Sequence, residues 1–204
     1  MKRVLGIVLV LLGLSMLYGA YRLNRSNREE AFSAEMVALD VLPQMVAQIP
    51  QEPAPEAVAR TVIPVEYLEP EDFTMTEAVI DGYSYIGYLS LPRIDRSLPI
   101  LSDWDYDLLK KAPCRFTGTL RGNDLVLMAH NYQSHFGKLS EMQIGDPVYF
   151  TDMDGIITEY VVVAKDILDP SAVEELTAGI YDLTLFTCTY GGQSRVTVYC
   201  DKIG

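Results

Sequence analysis

Short apolar segments separated by turn-forming residues recur from about residue 80 to the end of the chain. Each segment is rich in Val, Ile, Tyr, Phe and Thr, the residues that favour β-strands. Asp154-Gly155 lies between two of the segments and is typical of a β-hairpin turn. Regularly spaced strands with few helices predict an all-β barrel or sandwich. The predicted strands are Tyr85 to Leu91, Asp124 to Ala129, Pro147 to Thr151, Thr158 to Ala164, Leu183 to Thr187 and Arg195 to Cys200.

Composition narrows the classes of function that such a β domain can have. Two short helices fit between the strands, near Asp105 to Lys111 and near Ala172 to Leu176. The formal net charge is -12, which opposes nucleic-acid binding because phosphate contacts need clustered Lys and Arg. Three cysteines and two histidines show no zinc-binding spacing. We therefore expect no nucleic-acid partner and no metal cofactor of the zinc type.

An apolar run near the amino terminus predicts attachment to a membrane. The run extends from Val4 to Tyr21 and would be about 27 Å long as a helix, close to the roughly 30 Å of a bilayer core. A cleaved signal peptide is the alternative, but Tyr18-Gly19-Ala20 lacks the pair of small residues that cleavage requires. We predict residues 1–28 as a single-pass anchor with basic flanks, a cytoplasmic amino terminus and an extracellular remainder. The basic residues on both sides give only a weak orientation signal.

Residues 29–78 predict an extracytoplasmic linker between this anchor and a domain at residues 79–204. Apolar residues at helical spacing predict a short helix from Glu29 to Leu42. Prolines beyond it are incompatible with a long helix or a central strand. They are Pro43, Pro50, Pro53, Pro55, Pro64 and Pro70. The prolines therefore predict an extended spacer that is stiffer than a Gly/Ser linker.

A cysteine and an arginine face each other across a short predicted turn. Cys188 ends the strand that begins at Leu183, and Arg195 opens the next strand after a short loop. Two adjacent strands joined by so short a loop bring both residues to the same end of the sheet. A guanidinium there would stabilise a thiolate and a developing oxyanion.

A histidine ends another predicted strand and supplies the third group that thiol chemistry needs. His130 follows the apolar run Leu125 to Ala129, and Asn131 comes after it. At a strand end beside the cysteine, His130 would protonate a leaving amine. Taken singly, each residue has an ordinary structural role, since cysteines pack in cores, histidines form structural hydrogen bonds and arginines are solvated.

The surrounding sequence resembles a known family. Thr184-Leu185-Phe186-Thr187-Cys188 matches a TLxTC signature, and the run from Asn123 to His130 resembles the strand that carries the family's histidine. Three further stretches resemble the FxxL…GDxV region and an early strand; they are Phe136 to Leu139, Gly145 to Val148 and Leu98 to Leu101. The family is the sortases, the membrane-anchored cysteine transpeptidases of Gram-positive bacteria. The resemblance covers most of residues 80–204 and is closest to a class B or D sortase.

This resemblance implies roles for individual residues and a fold. Cys188 would be the nucleophile and His130 the acid/base, and Arg195 would stabilise the oxyanion or position the substrate. Thr187 and Asn131 would contribute to substrate binding. The implied fold is the closed sortase β-barrel of about eight strands, with the site in a groove at the strand ends.

The resemblance also implies substrates and a location. The expected donors are secreted proteins with an LPxTG-like sorting signal near their carboxyl end. The expected acceptor is an amine of a peptidoglycan precursor or of a pilin, reached through a thioacyl enzyme. The protein would be held in the cell membrane by its amino-terminal helix, with the catalytic domain outside.

Other candidate residues are given simpler interpretations. His135 lies in a polar segment and is expected on a loop, which makes it the weaker candidate for the catalytic histidine. Cys114 and Cys200 are expected to take no part in catalysis. The acidic stretch from Asp103 to Asp107 is expected to be a solvated turn, although some sortases bind calcium through loop carboxylates.

Three other functions compete with a transpeptidase. A thiol hydrolase would use the same triad with water as the acceptor. An L,D-transpeptidase also unites Cys, His and Arg, but its cysteine lies in an SHGC-like motif that Phe186-Thr187-Cys188 does not match. A non-catalytic, membrane-anchored β domain that binds a ligand would instead hold Cys188 buried and inert.

Overall fold

The computed structural model describes residues 2–50 and 74–203, with side chains from residue 9 onward. A helix, α1, spans Lys2–Gln48, and a short helix, α2, spans Val173–Leu176. Short 3₁₀ turns occupy Pro92–Ile94 and Leu139–Glu141. The strands are β1 Ala78–Ile80, β2 Tyr83–Leu91, β3 Arg96–Leu101, β4 Cys114–Thr117, β5 Leu125–Ala129, β6 Pro147–Asp152, β7 Ile157–Leu168, β8 Leu183–Cys188 and β9 Arg195–Lys202.

The strands of the described residues form one sheet that closes on itself. Its order is β1-β2-β3-β4-β5-β8-β9-β7-β6, and β2 also pairs with β6. Eight strands therefore make a closed barrel, and β1 extends the sheet beyond it. Most neighbours are antiparallel, but β3 runs parallel to β4 and β5 runs parallel to β8. Closure leaves the barrel strands without an open edge.

Alternation along the strands fills the barrel with apolar side chains. Leu125, Leu127 and Ala129 of β5 point into the same buried cluster as Leu183 and Leu185 of β8. Residues between them face the outer side, where Phe186 packs with Val126 and with Leu176 of α2. The period of two therefore places alternate residues of β8 inside the barrel, and Phe186 outside it.

The all-β fold predicted from the segment pattern is confirmed as a closed barrel. All six predicted strands exist, Asp154-Gly155 forms the β6–β7 hairpin, and α2 lies where a short helix was predicted. The pattern did not predict β1 or β4, which are only three and four residues long, and β3 was indicated only by the resemblance at Leu98 to Leu101. The helix predicted near Asp105 to Lys111 is wrong. That stretch forms turns, because its i→i+4 backbone hydrogen bonds, from Leu109 to Asp105 and from Ala112 to Leu108, are isolated and not consecutive. The Asp105 carboxylate caps the first turn by accepting hydrogen bonds from the N–H groups of Asp107 and Leu108.

Helix α1 continues beyond the short helix predicted from Glu29 to Leu42. It passes through Pro43 and ends at Gln48, so the prediction that Pro43 ends the helix is wrong. A proline inside a helix costs about 3 kcal/mol. Packing offsets this cost, because Val41 and Met45 on either side of Pro43 are buried against the barrel. Predicted linker residues 51–73 lie outside the described part of the chain.

The prediction of a transmembrane segment falls on the first part of α1. Side chains of residues 1–8 lie outside the described part. Within the described residues, no helix is long and apolar enough to cross a membrane. The structure therefore gives the transmembrane prediction no support.

Packing of α1 on the barrel gives a first test, in the variant Met45→Ala. The Met45 side chain is fully buried, so we expect the substitution to lower the free energy of unfolding by about 2–4 kcal/mol. Val46→Ala is the matched control, because Val46 is 48% exposed and its truncation should change stability by under about 0.5 kcal/mol. Urea unfolding measures both. Equal stabilities would show that this end of α1 is not packed against the domain.

Candidate active site

The parallel pairing of β5 with β8 brings two of the predicted site residues together. Ala129 is opposite Thr187 at the end of this ladder, and the Thr187 hydroxyl donates a hydrogen bond of 2.8 Å to the Ala129 carbonyl. The next residues are His130 and Cys188. Because parallel strands end at the same edge, these two residues leave the sheet side by side. Thr187 itself is buried, and its hydroxyl is engaged in holding the two strand ends together.

The antiparallel pairing of β8 with β9 adds the arginine. Cys188 and Arg195 are direct partners in the register, which puts their Cβ atoms about 5 Å apart on one face. The loop between them is a compact turn in which Thr189 and Ser194 exchange hydrogen bonds. Gly192 has a φ of 75°, a conformation that glycine adopts without strain. This loop fixes the spacing of the thiol and the guanidinium.

The guanidinium of Arg195 is oriented by its own loop. Its Nη1 group donates hydrogen bonds to the carbonyls of Gly192 and Ser194, at 3.2 and 3.3 Å. Within the described residues, Nε and Nη2 of Arg195 donate no hydrogen bond, so both remain free to bind an oxyanion.

The Cys188 side chain is half-buried in a cavity of about 330 Å³. One wall comes from the segment after His130, including Asn131 and Phe136, and the other from Thr187 to Tyr190. A cavity of this size between two loops can take a few residues of an extended peptide. Asn131, predicted to bind substrate, therefore lies beside the thiol.

His130 is held between a tyrosine ring and a carboxylate. The Tyr132 ring stacks on the imidazole with centroids 4.7 Å apart and 25° between the planes. Burial lowers the pKa of His130 below its ordinary value, while the nearby Glu30 carboxylate raises it and Lys110 lowers it. Neutral imidazole therefore dominates near neutral pH. Such a group accepts a proton from a thiol and returns it to a leaving amine.

Glu30 reaches this site from α1, and sequence reasoning did not find it. The Tyr132 hydroxyl donates a 2.5 Å hydrogen bond to the Glu30 carboxylate, and the Ser134 hydroxyl donates to the Ala31 carbonyl. Burial, together with the Glu30 contact, raises the pKa of Tyr132. These bonds join segments about a hundred residues apart, and no local sequence signal indicates them. Helix α1 is therefore part of the site.

The second histidine lies in a turn after β5, as the sequence predicted, but its side chain is buried. His135 is 1% exposed, and burial lowers its pKa to about 4. Its ring lies 5.5 Å from the ring of Tyr132, on which His130 also stacks. His135 lines neither of the cavities at the strand ends.

The remaining cysteines and the acidic stretch take no part in this arrangement. Cys114 and Cys200 are free and buried, and burial raises the pKa of the Cys114 thiol to about 12. Asp107 pairs with Lys110 at 2.8 Å, and Asp105 caps backbone N–H groups. Among the described residues, no group of three or more His, Cys, Asp or Glu side chains could hold a metal ion. Calcium binding stays an untested expectation.

Comparison with known proteins identifies the family. A Sortase domain model matches residues 89–203, which is more than half of the chain. The chain belongs to the sortase family, and it is a cysteine transpeptidase of the sortase type. Sortases in general act on LPxTG-type signals, use pilin or peptidoglycan amines as acceptors and are associated with the cell surface. A comparison with curated proteins finds no match.

Solved sortase structures share the barrel. Sortase C of Streptococcus pneumoniae is 26% identical, with a TM-score of 0.52 over 59% of this chain and 69% of that one. Sortase C1 of Streptococcus suis is 29% identical, with a TM-score of 0.53 over 59% of this chain and 73% of that one. Sortase A of Corynebacterium diphtheriae is 25% identical, with a TM-score of 0.52 over 60% of this chain and 62% of that one. The predicted class, B or D, stays a prediction.

The Glu30 contact predicts the direction of a pKa change in Glu30→Gln. The amide keeps a hydrogen-bond acceptor for Tyr132 but removes the charge that stabilises the imidazolium. We therefore expect the pKa of His130 to fall further below its ordinary value. An NMR titration of the His130 ring measures it. Glu29→Gln is the matched control, because exposed Glu29 pairs with Arg25. A His130 pKa that stays constant or rises in Glu30→Gln would contradict the assignment.

Proposed function

We propose that Cys188, His130 and Arg195 are the catalytic residues of this sortase. The supporting observation is the strand register: β8 lies between β5 and β9, Thr187 is opposite Ala129, and Cys188 is opposite Arg195. The closed barrel holds all three strands, which supports a site at the end that they share.

The first half of the proposed reaction forms a thioacyl enzyme. His130 takes the proton of the Cys188 thiol, and the sulfur attacks the carbonyl carbon of a sorting motif in a secreted protein. The free N–H groups of Arg195 stabilise the oxyanion, and the imidazolium of His130 protonates the departing amine. The peptide C–N bond breaks, a C–S bond forms, and the proton moves from the sulfur to the amine. The protein's part in each of these steps is carried by the side chains of Cys188, His130 and Arg195.

The second half transfers the acyl group to an amine of a peptidoglycan precursor or a pilin. The family's general substrates support this assignment. If water were the acceptor in place of the amine, the same residues would act as a thiol hydrolase. The donor is proposed to lie in the cavity of about 330 Å³ that Cys188 lines.

The proposed location is the outer face of the cell membrane, with residues 1–28 as anchor and the barrel outside. The apolar run from Val4 to Tyr21 supports this proposal, as does the surface association of the family.

The reactivity of Cys188 separates an enzyme from a ligand-binding module. Cys188 is half-buried beside His130, whereas Cys114 and Cys200 are buried in the core. We expect iodoacetamide to modify Cys188 at least about tenfold faster than either of the other two thiols. Peptide mapping by mass spectrometry reads out each site. His130→Ala should slow the modification of Cys188, and equal rates at all three thiols would favour the non-catalytic module.

The role of Arg195 is tested by comparing Arg195→Ala with Arg195→Lys. Loss of an oxyanion donor should lower kcat for peptide cleavage by about 10²–10³-fold in Arg195→Ala. Lysine keeps the charge but not the planar donor geometry, so its activity should be intermediate. The assay follows cleavage of LPxTG-type peptides from a library by the full-length chain. Wild-type kcat in Arg195→Ala would remove Arg195 from the mechanism.

A further inference from the structure

A second cavity lies on the other side of His130, between α1 and the barrel. Its volume is about 610 Å³, nearly twice that of the cavity that holds Cys188. Helix α1 supplies one wall, from Asn24 to Glu35, and the segment from His130 to Ser134 supplies the opposite wall. The proposed donor cleavage does not use this space.

The two cavities meet at the catalytic residues. His130 lines the α1 cavity, Cys188 lines the smaller one, and Asn131, Gln133 and Tyr190 line both. Tyr190 is 95% exposed, so its ring stands in solvent at the boundary between them. A molecule in the α1 cavity would therefore lie next to the histidine, and three residues of its lining also line the cavity of the sulfur.

The α1 cavity carries charges of both signs on one helix. Glu30 and Glu35 provide carboxylates, and Arg28 provides a guanidinium. Glu30 already acts electrostatically on His130 and accepts the hydrogen bond of Tyr132. The remaining polar lining includes side-chain amides, such as Asn27 and Gln133, and hydroxyl groups, such as that of Ser134. These charged and amide groups can bind the ammonium group, the carboxylate and the peptide groups of a small ligand.

We propose that the cavity between α1 and His130 binds the acceptor, as an amino acid or short peptide that presents a primary amine together with a carboxylate. This inference rests on the proposed function, since it needs a thioacyl group on Cys188. The carboxylates of Glu30 and Glu35 attract the ammonium form, and Arg28 pairs with the acceptor's carboxylate.

The chemistry of transfer fits this placement. After the ammonium loses a proton to solvent, the amine nitrogen attacks the thioester carbonyl carbon. A C–N bond forms, the C–S bond breaks, and Cys188 leaves as a thiolate. The extra proton on nitrogen passes to His130, which lines the α1 cavity, and Glu30 stabilises the resulting imidazolium. Donor and acceptor thus approach the sulfur from different sides.

The experiment measures how the thioacyl enzyme partitions between an amine and water. The full-length chain is given the LPxTG-type peptide that it cleaves best, with Ala-Lys or hydroxylamine as the nucleophile. Hydroxylamine is uncharged near neutral pH and needs no carboxylate partner. We expect Glu35→Lys to lower the ratio of Ala-Lys product to hydrolysis product by about tenfold, through charge repulsion. The ratio with hydroxylamine should not change.

A second set of measurements tests the role of the acceptor's carboxylate. A control variant tests whether a charge change elsewhere on α1 has the same effect. The wild-type chain should prefer Ala-Lys to its carboxyl-terminal amide, and Arg28→Ala should abolish that preference. The control Glu29→Lys makes the same charge change at an exposed residue next to Glu30 that does not line the cavity. It should leave both product ratios at the wild-type level.

The outcomes separate this inference from the proposed function. Absence of donor cleavage by the wild-type chain would overturn the proposed function. Normal donor cleavage, with unchanged partition ratios in both Glu35→Lys and Arg28→Ala, would overturn the acceptor site alone. The acceptor site would also be overturned if the ratio of aminolysis to hydrolysis product fell equally for hydroxylamine and for Ala-Lys. Such an equal fall would indicate a damaged catalytic centre.

Discussion

The site depends on the parallel ladder between β5 and β8. Neighbouring parallel strands end at one edge, so the residue after each strand emerges beside its counterpart. Here the Thr187 hydroxyl closes the end of the ladder on the Ala129 carbonyl, and the histidine and the cysteine follow directly. A shift of the register by one residue would turn Cys188 to the opposite face of the sheet and away from Arg195. The core on both strands opposes such a shift, since Leu127 and Leu185 are fully buried.

Much of the barrel and the three central residues could be predicted from the sequence. Strands such as β5 and β8 are short apolar segments that end at turns, and Cys188 and Arg195 are separated by a turn that limits their distance. Strands β1 and β4 escaped prediction because a few residues carry no periodicity. The stretch after Asp105 has helical composition and a helix-like amino-terminal cap, but its i→i+4 hydrogen bonds are not consecutive, so it forms turns.

Contacts between distant segments could not be predicted in the same way. Pro43 predicts the end of a helix, but α1 continues to Gln48. The burial of Met45 against the barrel explains why the helix continues. His135 stands among polar residues, yet the fold turns it inward. The bond from Tyr132 to Glu30 joins two surfaces whose pairing no local pattern encodes. Both functions of α1, packing on the barrel and lining the site, are therefore tertiary properties.

Helix α1 links the chemistry at the strand ends to the amino terminus. Its later turns are anchored in the core next to β1 and β3, and its middle turns present Glu30 to the ring pair of Tyr132 and His130. The electrostatics of His130 then depend on a residue outside the barrel. A sortase domain without this helix would keep the cysteine and the arginine but lose the carboxylate that stabilises the imidazolium.

The most direct measurement of the strand register is disulfide formation in His130→Cys. Residues in register on adjacent strands have Cα atoms about 5 Å apart, within the range of a disulfide. Mild oxidation should therefore join position 130 to Cys188 in a single chain, as detected by peptide mapping. His135→Cys should form no bond to Cys188, because position 135 faces the core. Free thiols at position 130 and at Cys188 after oxidation of a folded chain would contradict the arrangement of the site.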